Sequence, residues 1–128
     1  MKYLGVDYGA KRVGLAVSDA NGSIAFPLET VDTAAALTRI IQLVQEKGLK
    51  TIIVGDTLFH GGVENPVTRE AQEFCDRLAR ETGLPVSRAS EAWSSVEASR
   101  FAPKGSEHDD AAAAAIILQR FLDSHPSA

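Results

Sequence analysis

Apolar and polar residues alternate along the start of the chain, which reads KYLGVDYGAKRVGLAVSD after the initial methionine. A period of two is typical of half-buried strands, so the pattern predicts strands over residues 2–7 and 13–18. The short gap between them predicts an antiparallel hairpin, with Gly9 free to adopt a positive φ in the turn. After a second turn, residues 24–31 form a third predicted strand, which Pro27 confines to a sheet edge or a bulge.

Helical spacing replaces this alternation after Asp32, the expected N-cap of a first helix. The apolar positions of this helix recur three and four residues apart: Leu37, Ile40, Ile41 and Val44. Gly48 is placed to end the helix. The apolar run TIIVG that follows predicts a strand buried on both faces.

Helices and strands continue to alternate in the second half of the chain. Asn65 followed by Pro66 predicts the start of a second helix, and a short strand is predicted over residues 84–90. A short helix is predicted at residues 94–102 and a last helix at residues 111–124. The order β-β-β-α-β-α-β-α-α predicts an α/β fold in which helices cover a mixed sheet.

Composition narrows the function classes. The chain carries 17 acidic and 13 basic side chains, a formal net charge of −4, which argues against a general nucleic-acid coat protein. The lone cysteine, Cys75, excludes a disulfide framework and a cysteine-based zinc site. The sequence shows no signal peptide and no membrane span, so we expect a cytoplasmic protein. We expect one domain over residues 1–124 and a short tail over residues 125–128.

Acidic residues at the ends of predicted elements are the candidate chemistry: Asp7, Glu91, Asp109 and Asp110. Loops diverge at the strand ends of an α/β sheet, and sites form there. Carboxylates brought together repel one another unless a divalent cation lies between them. Oxygen ligands without cysteine favour Mg²⁺ or Mn²⁺ over zinc. Two such ions would activate a water and stabilise the leaving oxygen of a phosphodiester.

Each of these acids also has a structural interpretation. Asp109 or Asp110 would serve as the N-cap of the last helix, and Glu91 as a solvated loop residue. Asp7 would cap the backbone amides of the turn that follows it. Spacing alone leaves the metal-site and the structural interpretations open.

The segment GVDYGAKRVGLAVSD resembles the opening motif of the YqgF family, also called RuvX. Its members are described as Holliday junction resolvases and as nucleases that mature the 5′ end of the 16S ribosomal RNA precursor. The positions that match the motif are Asp7, Tyr8, Gly9, Lys11, Arg12, Val13 and Gly14. SEAWSSVEA is similar to DERLTTVEA of the family, and DDAAAAAIILQRFLD to its last helix, so the resemblance spans essentially the whole chain.

The resemblance implies an RNase H-like fold with a five-stranded mixed sheet in the predicted element order. It also implies a metal-dependent endonuclease that hydrolyses phosphodiester bonds in structured nucleic acid by a two-metal-ion mechanism. By position, Asp7, Glu91 and Asp110 are the implied catalytic residues and ligands of Mg²⁺ or Mn²⁺. Asp110 is chosen because it stands nine residues before Gln119, as the family aspartate stands before its glutamine or glutamate. Asp109 is the neighbouring candidate ligand.

Substrate contacts are expected from two basic residues and two serines: Lys11, Arg12, Ser94 and Ser95. The basic pair would bind a phosphate beside Asp7, or form a plain solvated turn. The serines, which replace family threonines, would touch a phosphate or cap the short helix. We also expect the alanine run 111–115 to let the last helix approach the sheet closely.

Departures from the family leave a second function open. Ala92 replaces a family arginine, the segment 101–108 is shorter and less basic than in the family, and the net charge is negative. These features favour, as the alternative, a catalytically weak or inactive module of the same fold that binds RNA or the ribosome. A third interpretation, an actin-like phosphate-binding domain, is disfavoured by the short chain. The sequence does not distinguish ribosomal RNA precursor from branched DNA as the substrate, nor a monomer from a homodimer.

Overall fold

The structure, a computed structural model, describes residues 2–9, 11–55, 66–89 and 110–124. The strands are β1 (Tyr3–Tyr8), β2 (Arg12–Ser18), β3 (Ala25–Asp32), β4 (Thr51–Gly55) and β5 (Val86–Ala89). The helices of this described part are α1 (Thr33–Lys47), α2 (Pro66–Thr82) and α3 (Asp110–Ser124). None of them is long and apolar enough to cross a membrane. The helix predicted at residues 94–102 and the tail predicted at 125–128 lie outside the described residues.

The strands form one sheet in the order β3-β2-β1-β4-β5. β1 lies at the centre, antiparallel to β2 and parallel to β4. The outer pairs are antiparallel between β2 and β3 and parallel between β4 and β5. The predicted mixed five-stranded sheet is therefore confirmed.

Helices cover both faces of the sheet, because successive residues of each strand point to opposite sides. α1 and α2 cover one face, where the larger buried cluster includes Val6 and Ile52. α3 covers the other face, where a second cluster includes Ile53 and Ile117. β4 contributes to both clusters, so the run TIIVG is buried on both faces, as predicted.

β3 forms one edge of the sheet and carries an irregularity, as its proline predicts. Leu15 of β2 pairs with Glu29, whereas the next residue, Ala16, pairs with Pro27, so Leu28 is the extra residue of a bulge. Proline has no N–H for a strand ladder and is tolerated at such an edge.

The ends of α1 confirm one expectation and correct another. Gly48 ends the helix in the left-handed conformation, at φ 64°, as predicted. Asp32 occupies the N-cap position, but its side chain makes no capping hydrogen bond, contrary to the prediction. The first helical N–H, that of Thr33, donates instead to the carbonyl oxygen of Lys11 at 3.0 Å. The helix start is therefore held by the β1–β2 turn rather than by its own cap residue.

The turn between β1 and β2 does not use the conformational freedom expected of Gly9. Gly9 is not among the glycines with positive φ. A Cβ at this position would lie 2.6 Å from the carbonyl oxygen of Arg12. The turn therefore requires glycine because two backbone segments approach closely, and not because of a left-handed conformation.

Candidate active site

Asp7 lies near the end of the central strand, directly opposite Gly14 of β2. Opposed residues of an antiparallel pair place their side chains on the same face. A Cβ at Gly14 would meet the backbone of Asp110, and one at Gly5 would meet Leu118, so both glycines face α3. Since residues 5 and 7 share a face, Asp7 points to the side of the sheet that α3 covers, where it is half-buried.

Helix α3 begins in close contact with β2. A Cβ at Gly14 would lie 1.8 Å from the carbonyl oxygen of Asp110, and one at Gly5 would lie 2.8 Å from the Cβ of Leu118. Glycine in the sheet allows the helix backbone to come this near. The close approach expected of the last helix is confirmed, and it puts Asp110, the first residue of α3, beside Asp7.

The amino end of α3 suits acidic side chains electrostatically. The unpaired N–H groups of a helix's first turn carry partial positive charge, which attracts carboxylates. Asp110 is the acidic residue of that turn in α3. Asp7 lies on the strand position opposite Gly14, which the start of α3 contacts, so it approaches the same helix end from the sheet.

Arg12 lies on the same face as Gly14, two residues earlier on β2. Its Nε is 3.6 Å from Oδ2 of Asp110, with the arginine side chain 56% exposed and the aspartate side chain 25% exposed. The distance is that of an ion pair and is too long for a hydrogen bond. Lys11, its neighbour, is exposed in the turn.

Thr33 anchors the turn that carries these groups, a role that the sequence analysis missed. Its Oγ1 donates to the carbonyl oxygen of Gly9 at 2.7 Å, and its N–H donates to that of Lys11 at 3.0 Å. Both bonds join the start of α1 to the segment between Asp7 and Arg12. A threonine directly after a predicted N-cap was the available signal, because such a residue has a hydroxyl and an unpaired N–H to offer.

Replacing Thr33 by Val should remove one anchor of this turn with little change of shape. We expect a loss of about 0.5–1.5 kcal/mol in the free energy of unfolding, because the Gly9 carbonyl loses its hydroxyl partner. Urea unfolding of the variant and the wild type measures the difference. Thr30→Val, the same substitution at an exposed position of β3, is the control and should change stability by less than about 0.5 kcal/mol. Equal effects of the two variants would contradict the anchoring role.

Gln119 fixes α3 to the turn between β2 and β3. Its side-chain oxygen accepts from the N–H of Ala25 at 2.9 Å, and its side-chain nitrogen donates to the carbonyl oxygen of Ser23 at 3.0 Å. In the sequence analysis Gln119 served only as a marker for the position of Asp110. The structure gives it a physical role, since it fixes α3 to the sheet nine residues after Asp110.

Tyr8, the next residue after Asp7, points away from this site into the core. Its ring packs against Phe74, with ring centroids 4.9 Å apart. Burial raises the pKa of the Tyr8 phenol, and Glu70, Cys75 and Glu73 add to the shift. The phenol stays neutral at physiological pH, and Tyr8 secures the end of β1 by packing.

Four of the expected site residues lie outside the described residues: Glu91, Ser94, Ser95 and Asp109. The same holds for Ala92 and the segment 101–108. Within the described ranges, no three His, Cys, Asp or Glu side chains are grouped closely enough to hold a metal ion. The described part of the chain thus brings together Asp7, Asp110 and Arg12, and the three-acid ligand set stays a prediction.

Comparison with known proteins gives one family match over residues 1–124 and several relatives that share a name. A family model described as "RuvX: Holliday junction resolvase" matches residues 1–124. A Bordetella petrii protein named "Putative pre-16S rRNA nuclease" is 37% identical over 126 residues, covering 96% of this chain and 95% of that protein. A protein of the same name from Chloroflexus aurantiacus is 35% identical, covering 97% of this chain and 88% of that protein. Another, from Nitratidesulfovibrio vulgaris, is 41% identical, covering 77% of this chain and 71% of that protein.

Solved structures confirm the fold. The chain is similar to Thermus thermophilus RuvC in complex with a Holliday junction substrate, with a TM-score of 0.65 and 18% identity over 98% of this chain and 96% of that one. A second Thermus thermophilus RuvC structure gives a TM-score of 0.61 at 19% identity, over 97% of this chain and 96% of that one. At these identities the likeness concerns the arrangement of strands and helices, which is the expected RNase H-like one.

Proposed function

This chain belongs to the RuvX family, and from that premise we propose that it is a nuclease acting on structured nucleic acid. The reaction is endonucleolytic hydrolysis of phosphodiester bonds, assisted by Mg²⁺ or Mn²⁺. The substrate is the 16S ribosomal RNA precursor, a Holliday junction, or both. The relatives carry a name that refers to the former, and the family description refers to the latter.

The meeting of Asp7 and Asp110 carries this proposal. The two residues come from opposite ends of the chain, yet the Asp7–Gly14 pairing and the contact of Gly14 with Asp110 bring them to one place. Two carboxylates that share a face repel each other, and charged groups arranged in this way are concentrated at functional sites. Gly14 is a second sign that the sequence encodes the proximity of Asp7 and Asp110, because a side chain at this position would collide with the start of α3.

The donor chemistry at this place fits a hard divalent cation. Both described acids offer carboxylate oxygens, and neither a cysteine nor a histidine lies among the site residues that we describe. Asp7 and Asp110 would hold the ion together with Glu91, which we propose as the third ligand, and Asp109 is the neighbouring candidate. When bound, such ions supply an activated water and charge compensation for the leaving oxygen.

The chain's own residues hold and orient the reactants. Asp7 projects from the central strand of the sheet. Because this strand is rigid, the carboxylate would need little reorganisation to stay directed at the cation. Lys11 and Arg12 would bind the backbone phosphate next to the scissile one, which sets the register of the nucleic acid without reading its sequence. Ser94 and Ser95 are proposed as further phosphate contacts. Thr33 positions the turn that carries the basic pair.

A side-by-side cleavage assay tests the proposal. Purified protein is incubated with a four-way DNA junction and with a ribosomal RNA leader, each with Mn²⁺ and with chelator. We expect cleavage of at least one substrate in Mn²⁺ and none in chelator. Binding of either substrate without cleavage would overturn the nuclease assignment and support the alternative, a non-catalytic RNA- or ribosome-binding module. The oligomeric state measured on the same sample shows whether paired, symmetric cuts are available to the protein.

A further inference from the structure

We propose that Arg12 is a built-in counter-ion of Asp110: it neutralises this carboxylate while no cation is bound, and it turns to the substrate phosphate once a cation takes its place. The inference rests on the proposed function, since it concerns the same site. It goes further because it couples the two binding steps: the cation displaces Arg12 from Asp110, and the displaced Arg12 binds the phosphate. The residue is a positioning residue in this scheme.

The geometry of the Arg12–Asp110 pair is that of a contact that is easily exchanged. The 3.6 Å separation and the 56% exposure of the arginine side chain make it a loose, solvent-screened ion pair. The ion pair between Arg39 and Glu29 is different. Arg39 donates three hydrogen bonds of 2.8–3.2 Å to Glu29, and both of these side chains are 31% exposed. Arg39 thus forms a fixed structural pair with Glu29, whereas the Arg12 side chain makes one long contact within the part of the chain that the structure describes.

The site needs a positive charge when it holds no metal ion. Asp7 and Asp110 both lie next to Gly14, where α3 begins, so their carboxylates repel each other. Among the described residues, Arg12 is the cation within 4.0 Å of Asp110. A divalent ion would supply the same neutralisation more strongly and would make the guanidinium redundant at this carboxylate.

The released guanidinium has other anions within its range. Asp32 is directly opposite Arg12 on β3, so it lies on the same face of the sheet. Its side chain is not engaged in capping α1. A substrate phosphate is the better partner, because the planar guanidinium fork matches phosphate oxygens with two parallel hydrogen bonds. The exchange therefore orders the events: cation first, then firm phosphate binding.

Mn²⁺ titration calorimetry on the protein without nucleic acid measures the competition. Arg12→Gln should raise the Mn²⁺ association constant, because the ion no longer displaces a bound side chain. Lys11→Gln is the matched control, since it removes the same charge one residue away and no Lys11–Asp110 ion pair occurs in the described structure. We expect the Arg12 variant to exceed the Lys11 variant by roughly threefold or more, the range of a partly exposed ion pair. Equal affinities of the two variants would overturn the inference.

Nuclear magnetic resonance of the arginine Nε–Hε groups observes the exchange directly. Titration with diamagnetic Mg²⁺ should shift the Arg12 signal toward that of a free guanidinium. The Arg39 signal should stay in place, because its pairing with Glu29 lies away from the site. An unmoved Arg12 signal at saturating Mg²⁺ would also overturn the inference.

The results separate this inference from the proposed function. Cleavage that requires Asp7 and Mn²⁺, combined with equal affinities in the two glutamine variants, rejects the counter-ion role and leaves the nuclease intact. Absence of any Mn²⁺ binding by the wild type rejects both. Increased Mn²⁺ affinity in Arg12→Gln, together with weaker binding of the RNA leader or junction in Mn²⁺, supports the exchange. Each variant is first checked for cooperative thermal unfolding.

Discussion

Replacing Asp7 by Asn is expected to abolish metal-dependent cleavage while leaving the protein folded. Asparagine keeps the size and shape of aspartate and removes the charge that a divalent cation requires. Even partners that only support a metal ligand cost about 10- to 100-fold in affinity or activity when they are lost, so we expect a loss of more than about a hundredfold. Initial cleavage rates in Mn²⁺ measure it, on whichever substrate the wild type cleaves.

Thermal unfolding of the same variant separates chemistry from stability. The Asp7 side chain repels Asp110 in the absence of a cation, so its neutralisation should leave the melting temperature in chelator unchanged or slightly raised. Asp76→Asn is a suitable control, because it removes one exposed carboxylate from α2, on the opposite side of the sheet. This control should cleave at the wild-type rate. If Asp7→Asn cleaved as fast as Asp76→Asn, Asp7 would have no part in catalysis.

Local patterns in the sequence predicted most of the fold. The alternation around Val6 predicted a strand and the unbroken run TIIVG predicted a strand buried on both faces, and both are confirmed. Pro27 predicted the edge strand and its bulge for a local reason, the missing N–H. In such cases the physical cause lies within the segment itself, so the conformation can be predicted from the residues of that segment alone.

The errors and omissions lie where a second segment decides the conformation. Asp32 has the right type and place for an N-cap, yet the helix start bonds to the β1–β2 turn. Gly9 was interpreted as a residue free to adopt a positive φ, whereas the turn needs glycine because the backbone of Arg12 passes close to it. Thr33 and Gln119 were missed as anchors because their partners are 24 and 94–96 residues away along the chain. Tertiary contacts of this kind leave no periodic signal.

In the candidate site, too, the residue types were predictable from local sequence, whereas the contacts between distant segments were not. Asp7 and Asp110 stood out because each acid lies at the end of a predicted element, and the family resemblance chose Asp110 over Asp109 and matched Arg12 to the motif. Gly14 was part of the matching motif, but its purpose depends on a helix that begins almost a hundred residues later. The proximity of Asp7 and Asp110 is thus a property of one backbone contact. A substitution at that contact is the most direct way to test whether proximity matters.

Gly14→Ala should damage both stability and cleavage, because the added Cβ would lie 1.8 Å from the carbonyl oxygen of Asp110. Non-bonded carbon and oxygen atoms need about 3 Å or more, so the start of α3 must move by about 1 Å. Overpacking of this kind costs about 1–3 kcal/mol or more. A misplacement of about 1 Å also costs on the order of a hundredfold in rate. Thermal unfolding and initial rates in Mn²⁺ measure the two effects.

Gly5→Ala tells apart a general loosening of α3 from a specific displacement of Asp110. Its added Cβ would lie 2.8 Å from the Cβ of Leu118 and 2.9 Å from the carbonyl oxygen of Ala114, so the helix must shift there too, but by less than at Gly14 and one to two turns away from Asp110. We expect Gly5→Ala to be destabilised but to retain more than about a tenth of the wild-type rate, whereas Gly14→Ala falls to about a hundredth or below. Wild-type stability and rate in Gly14→Ala would show that α3 does not begin against β2. The distance between Asp7 and Asp110 would then no longer follow from the sheet, and the argument for a shared cation would lose its structural basis.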